Sequence, residues 1–186
     1  LLQSPDMRPS RETYDHALEQ GVLADQLGFD YIVAAEHHFS SYGFLPYPLL
    51  LIPILAERTK QIRFSTAVVV LPLRNPIQLA EEIAMLDVIS GGRLTSGFVR
   101  GIGVESLAHN ANPVYNRERF EEAHDLIMHA WTTHEPFNWE GKFWHFRYVN
   151  PWPRPLQQPH PPIWIPGVGS LETIEFVAQR RYCYMG

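Results

Sequence analysis

Short apolar runs that alternate with helical stretches constrain this chain more than anything else in it. The runs are Tyr31-Ile32-Val33-Ala34-Ala35, then 64–71 with Val68-Val69-Val70, 94–99, 163–165, and a fifth opening at 182–185. The first reads as a strand buried on both faces. Between the runs, residues 12–27 carry Ala17, Leu18, Val22 and Leu27 at helical spacing, with Gly28 as the stop. Residues 48–60 are again helix-like. Asn75-Pro76 is a helix start, Asn as cap and Pro at the first position, and Ser90-Gly91-Gly92 is its stop. A long helix is expected over 117–132, and Ser170 is placed to cap another that runs to Gln179. Strand–helix–strand units of roughly 30 residues require parallel pairing through helical crossovers, so the fold class is α/β.

One insertion breaks the rhythm. Residues 134–162 hold an aromatic hairpin, Phe137-Asn138-Trp139 turning at Glu140-Gly141-Lys142 into 143–149, and then a stiff proline-rich return. Seven of the chain's 16 prolines lie between Pro151 and Pro166. Both ends read as cut: the start is a loop ahead of a helix, and Gly186 stops a strand that is only beginning. Five parallel strands suit either a doubly wound domain or strands two to six of an eight-stranded barrel, and periodicity does not choose between them.

Composition closes off other classes. Charged residues make up 19% of the chain, too few for a disordered or tail-like protein, and the net charge of −5 argues against nucleic acid as a partner. No apolar run reaches the ~20 residues of a membrane span. Cys183 is the only cysteine, which excludes disulfide frameworks and Cys-x-x-Cys chemistry and suits a reducing cytoplasm.

In parallel α/β folds function sits at the carboxyl ends of strands. Those ends here are Glu36-His37-His38-Phe39, Leu71-Pro72-Leu73-Arg74-Asn75, Arg100-Gly101-Ile102-Gly103 and Gly167-Val168-Gly169-Ser170. The last runs into a helix, where backbone N–H groups and the positive helix end favour an anion, and Ser170 and Thr173 add hydroxyls one turn apart. Two readings stand for each of two residues here: Ser170 as an anion ligand or a plain N-cap, and Arg100 as a phosphate grip or a surface ion pair. Along a strand, Glu36 and His38 share a face while His37 points the other way. With no clean third ligand nearby, proton transfer suits these residues better than a metal, and a buried hydrogen-bonded histidine is the structural alternative. Gly101-Ile102-Gly103 fails as a dinucleotide fingerprint, because Ser106 stands where the third glycine belongs and no helix is expected to open there.

Several runs resemble the bacterial luciferase-like flavin-dependent monooxygenases, in order and at that family's spacing. They are Leu27-Gly28-Phe29-Asp30, Glu36-His37-His38-Phe39, Val70-Leu71-Pro72-Leu73-Arg74-Asn75-Pro76, Leu86-Asp87-Val88-Ile89-Ser90-Gly91-Gly92-Arg93-Leu94, Gly97-Phe98-Val99-Arg100-Gly101 and Pro159-His160-Pro161-Pro162-Ile163-Trp164.

The resemblance implies a (β/α)8 TIM barrel, with residues 1–186 forming one domain that holds roughly strands two to six. It implies reduced FMN supplied by a separate flavin reductase, with dioxygen as co-substrate. A small organic substrate would be oxygenated through a flavin hydroperoxide. The flavin ring would lie by Ala67 and Val68, where the family often has a non-prolyl cis peptide. Arg100, Gly169, Ser170 and Thr173 would hold the phosphate. His37 would move protons, with Glu36 and His38 orienting it or lining the pocket. A homodimer or related oligomer is also implied. Val99 stands where the luciferase α-subunit has a reactive cysteine, which counts against light emission. The alternatives are a deazaflavin-dependent hydride-transfer enzyme and a non-catalytic flavin-binding subunit.

Overall fold

The computed structural model describes residues 10–39 and 43–186; the expected loop ahead of the first helix lies outside them. The helices are α1 Ser10–Gln26, α2 Pro48–Arg58, α3 Pro76–Ile89, α4 Gly103–Ala108, α5 Asn116–Thr132 and α6 Leu171–Arg180. The strands are β1 Tyr31–Val33, β2 Arg63–Ser65, β3 Val69–Val70, β4 Leu94–Val99, β5 Phe137–Glu140, β6 His145–Val149, β7 Ile163–Pro166 and β8 Cys183–Met185. One sheet runs β1-β2-β4-β7-β8, with β3 also paired to β4, and every pair along that path is parallel. The class is α/β with a parallel sheet that does not close on itself among the described residues. No described helix is long and apolar enough to cross a membrane.

The chain divides into two compact units. The first contains the described residues up to Val69, Arg93–Phe98 and Pro162–Gly186. Its core is Phe64, Leu94, Phe98, Ile163 and Ile165 from the strands, joined by Ile52 and Leu55 of α2. Gly21 lets α1 approach α2, because a Cβ there would lie 2.5 Å from Leu55 Cδ2. Arg93 closes the end of α2, donating to the Ala56 carbonyl at 2.6 Å and to Thr59 Oγ1 at 3.0 Å. The first of these satisfies a carbonyl that a helix C-terminus leaves open. Asp25, near the end of α1, accepts from the backbone N–H groups of Lys60, Gln61 and Ile62 at 2.7–3.0 Å. These bonds, led by those from Lys60 and Ile62, hold its carboxyl below the usual carboxylate range.

Two expectations for this unit need correction. The first apolar run is not buried on both faces: among the described residues β1 lies at the edge of the sheet, and Val33 is 46% exposed. The second run is not one strand but two, β2 and β3, interrupted at 66–68 where the backbone passes against Gly97.

The second unit contains Val70–Gly92 and Val99–Pro161. Asn75 caps α3 as expected, its side chain accepting from the Ile77 and Gln78 N–H groups, and Gly91 and Gly92 follow its end at positive φ. The apolar face of α5, including Phe120, Ala123, Leu126, Ile127 and Ala130, is buried, and Trp131 Nε1 donates to the Ala80 carbonyl of α3 at 2.9 Å. The larger of these, Phe120, Leu126 and Ile127, each contribute about 1.5–3 kcal/mol on burial. The hairpin forms as the sequence predicts, β5 antiparallel to β6. Its turn is organised by Glu122 of α5, which accepts from Trp139 Nε1 and from the N–H groups of Lys142, Phe143 and Trp144 at 2.9–3.2 Å. The buried Asp87 carboxylate anchors the proline-rich return, accepting from the Gln157 backbone at 2.8 Å and its side-chain amide at 2.6 Å. Contrary to expectation, a short helix does open at Gly103. Gly101 turns the chain into it at φ +75, a conformation other residues rarely adopt.

Candidate functional site

Because the strands are parallel, their carboxyl ends face one way. Past the end of β1 the ladder continues, Ala34 N–H donating to the Ser65 carbonyl at 2.9 Å and Glu36 N–H to the Val68 carbonyl at 3.2 Å. This extended course makes the side chains alternate. Glu36, fully buried, places Oε1 3.0 Å from Nε2 of the buried His38. The His38 ring meets Tyr47 edge-on, with centroids 5.7 Å apart.

His37 turns away from that pair. It lines a cavity of about 490 Å³ together with Ala17, Gly21, Ala24, Val33 and Ala35. The size falls in the range of small-molecule sites. Gly43 packs against the imidazole so closely that a Cβ there would lie 2.9 Å from His37 Cδ2.

Ala67 and Val68 follow β2 in the same unit. A Cβ on Gly97 would lie 2.4 Å from the Ala67 Cα, and the Gly97 N–H donates to Thr66 Oγ1 at 3.0 Å. The missing side chain is therefore what lets this backbone cross β4. Among the described residues the cis peptide bonds are Trp152–Pro153 and Gln158–Pro159, so Ala67–Val68 does not carry the non-prolyl cis bond expected there.

After β7 the Gly167–Gly169 loop leads into α6. Gly169 has φ +92, and nothing lies within 4 Å of where its Cβ would be. Its N–H donates to the Tyr184 hydroxyl at 2.8 Å. Ser170 holds the N-cap position, yet its side chain does not cap the helix; Ser170 Oγ donates to Thr173 Oγ1 at 2.8 Å.

Of the residues singled out from the sequence, Glu36, His37, His38, Ala67, Val68, Gly169, Ser170 and Thr173 belong to the first unit. The structure joins Glu36 to His38 side chain to side chain, Glu36 to Val68 through the backbone, and Ser170 to Thr173. Arg100 directly follows β4 and belongs to the second unit. Among the described residues no group of three or more His, Cys, Asp or Glu side chains could hold a metal ion. Sequence reasoning missed Gly97, Tyr47 and Tyr184. An isolated glycine inside a strand signals close backbone approach and could have found Gly97. Nothing local marks the two tyrosines.

The parallel sheet carries an acid–imidazole pair at one strand carboxyl end and a glycine-rich, hydroxyl-bearing helix start at another, the positions where α/β proteins bind their ligands. The sequence model of the luciferase-like monooxygenases matches residues 2–185, and the chain belongs to that family. It is 37% identical over 163 residues to the oxygenase component of the flavin-dependent trigonelline monooxygenase of Acinetobacter baylyi, covering 86% of this chain and 45% of that protein. The crystal structure of monooxygenase RslO1 from Streptomyces bottropensis is similar with TM-score 0.93 and 32% identity, over all of this chain and 56% of that one. The oxygenating constituent of 3,6-diketocamphane monooxygenase from Pseudomonas putida, solved in complex with FMN, is similar with TM-score 0.88 and 25% identity, over 97% of this chain and 54% of that one. The chain thus spans about half the length of these relatives.

Proposed function

We propose that this protein is the oxygenase of a two-component flavin monooxygenase, acting on a small organic substrate with FMN reduced by a separate reductase. The observation that carries the reading is the start of α6. The Ser170 and Thr173 hydroxyls stand together at the positive end of this helix, and the open space at Gly169 admits a ligand closely. That arrangement fits a phosphate monoester. The two relatives described as flavin-dependent or solved with FMN support the choice of flavin. In this reading the chain is part of one luciferase-like barrel domain, contributing roughly strands two to six, with 134–162 as an insertion in it.

When bound, reduced FMN supplies the two electrons with which dioxygen is split between substrate and water. The chain's own residues do the rest. Ser170 and Thr173 hold the phosphate with the Gly169 loop. Ala67 and Val68 offer a small apolar surface to the flavin ring. The Glu36–His38 pair holds the strand end rigid, so that His37 can take up or return a proton at its imidazole. The largely apolar wall around His37 suits an organic substrate. An oligomer would cover Leu50 and Ile54, which are exposed one turn apart on α2, and sedimentation of the purified protein tests it. A reducing cytoplasm suits the exposed, unpaired Cys183.

The test is anaerobic titration of the purified protein with reduced FMN, followed by oxygen uptake in the presence of a flavin reductase. Tight binding and oxygen consumption coupled to substrate oxygenation are expected. Failure to bind FMN, with binding of a deazaflavin and no oxygen uptake, would overturn the reading.

A further inference from the structure

The Gly169 N–H, expected from the sequence to meet a phosphate itself, is engaged by a side chain from the next strand. Tyr184 pairs with Ile165 in the β7–β8 register, which brings its ring up beneath the loop. A Cβ on Gly167 would lie 3.0 Å from Tyr184 Cε2, 3.2 Å from its hydroxyl and 3.3 Å from Thr173 Cγ2. The Tyr184 hydroxyl and the Thr173 methyl group thus both pack against the Gly167–Gly169 loop, and the Thr173 hydroxyl in turn accepts from Ser170 at 2.8 Å.

A phenol has one proton to donate, and its oxygen can accept. Here the oxygen accepts from Gly169, so the Tyr184 proton is left to point at a further acceptor. A donor already polarised by an amide, beside the positive end of α6, suits an anionic oxygen, because hydrogen bonds in a chain strengthen one another.

We propose that Tyr184 is a phosphate-binding residue. It relays the Gly169 amide to the phosphomonoester as an N–H···O–H···O–P chain and holds the loop in the shape that receives it. This rests on the reading of the α6 start as the flavin-phosphate site.

The experiment compares FMN with riboflavin, which lacks the phosphate, by fluorescence titration of the purified protein and of Tyr184→Phe. The wild type should prefer FMN. Tyr184→Phe should lose about tenfold or more in FMN affinity, the usual worth of a hydrogen bond to a charged group, with riboflavin affinity unchanged. An unchanged FMN-to-riboflavin ratio in the variant, or an equal loss for both ligands, overturns the role of Tyr184 while leaving the phosphate site standing. A wild type that does not distinguish the two ligands overturns the phosphate site itself, and the proposal with it. Should Tyr184→Phe fail to fold, Tyr184→His keeps a ring donor and reads the same ratio: partial retention of the FMN preference supports the relay, and full retention overturns it.

Discussion

Glu36 Oε1 stands 3.0 Å from His38 Nε2, and both side chains are buried. Two of the three chemically versatile residues at the end of β1 are thus committed to each other, and the third, His37, lies beside a cavity. One face of this extended segment is a buried pair and the other borders a cavity.

That division separates the effects of neighbouring substitutions. His37→Ala should lower turnover by about 10²-fold or more, the usual worth of a placed acid–base group, while the melting temperature stays near that of the wild type. Glu36→Ala should instead cost about 1–3 kcal/mol of stability, since it leaves a buried imidazole nitrogen without its acceptor. Steady-state kinetics and thermal melts on both variants decide the matter. Equal turnover in His37→Ala and wild type would remove His37 from the chemistry.

Gly97→Ala should be among the most damaging small changes in the protein. Its Cβ would sit 2.4 Å from the Ala67 Cα, a backbone atom that cannot rotate away. Overpacking of this kind costs about 1–3 kcal/mol, and the displaced Ala67-Val68 segment should also lose flavin affinity. Thermal melting and FMN titration of the variant test both parts.

Asp25 makes stability depend on pH in a defined direction. Its carboxyl is held below the ordinary range by the N–H groups of Lys60 and Ile62 first, so the folded state favours the charged form. Its contribution is complete above the unfolded carboxylate value of about 4 and is lost as pH falls through the lower folded value. Urea melts of the wild type should therefore weaken below pH ~4, and Asp25→Asn should show a flatter dependence there. A variant that tracks the wild type across that window would disprove the assignment.

Glu122→Ala should loosen the hairpin turn without unfolding α5. Four donors, from Trp139, Lys142, Phe143 and Trp144, would lose one shared acceptor. Faster amide hydrogen exchange at Lys142 and Trp144, with α5 protection retained, is the expected signature.

The class of fold, the order of the longer helices and the alternation at Glu36-His37-His38 were legible in the sequence. Those signals are local: a 3.6-residue or two-residue period, the Asn75-Pro76 start and the Gly91-Gly92 stop act within a turn or two of the chain. What only the tertiary structure decided depends on neighbours far along the chain. An apolar run such as Tyr31-Ile32-Val33 looks the same whether it is central or at an edge, and only the sheet order leaves Val33 exposed. The break between β2 and β3 comes with Gly97 lying against Ala67, thirty positions away. The partner of the Gly169 amide, Tyr184, lies fifteen residues on and is delivered by the pairing of β7 with β8. Pairing across a sheet is set by the register of whole strands, and no window of sequence shorter than the crossover between them contains that information.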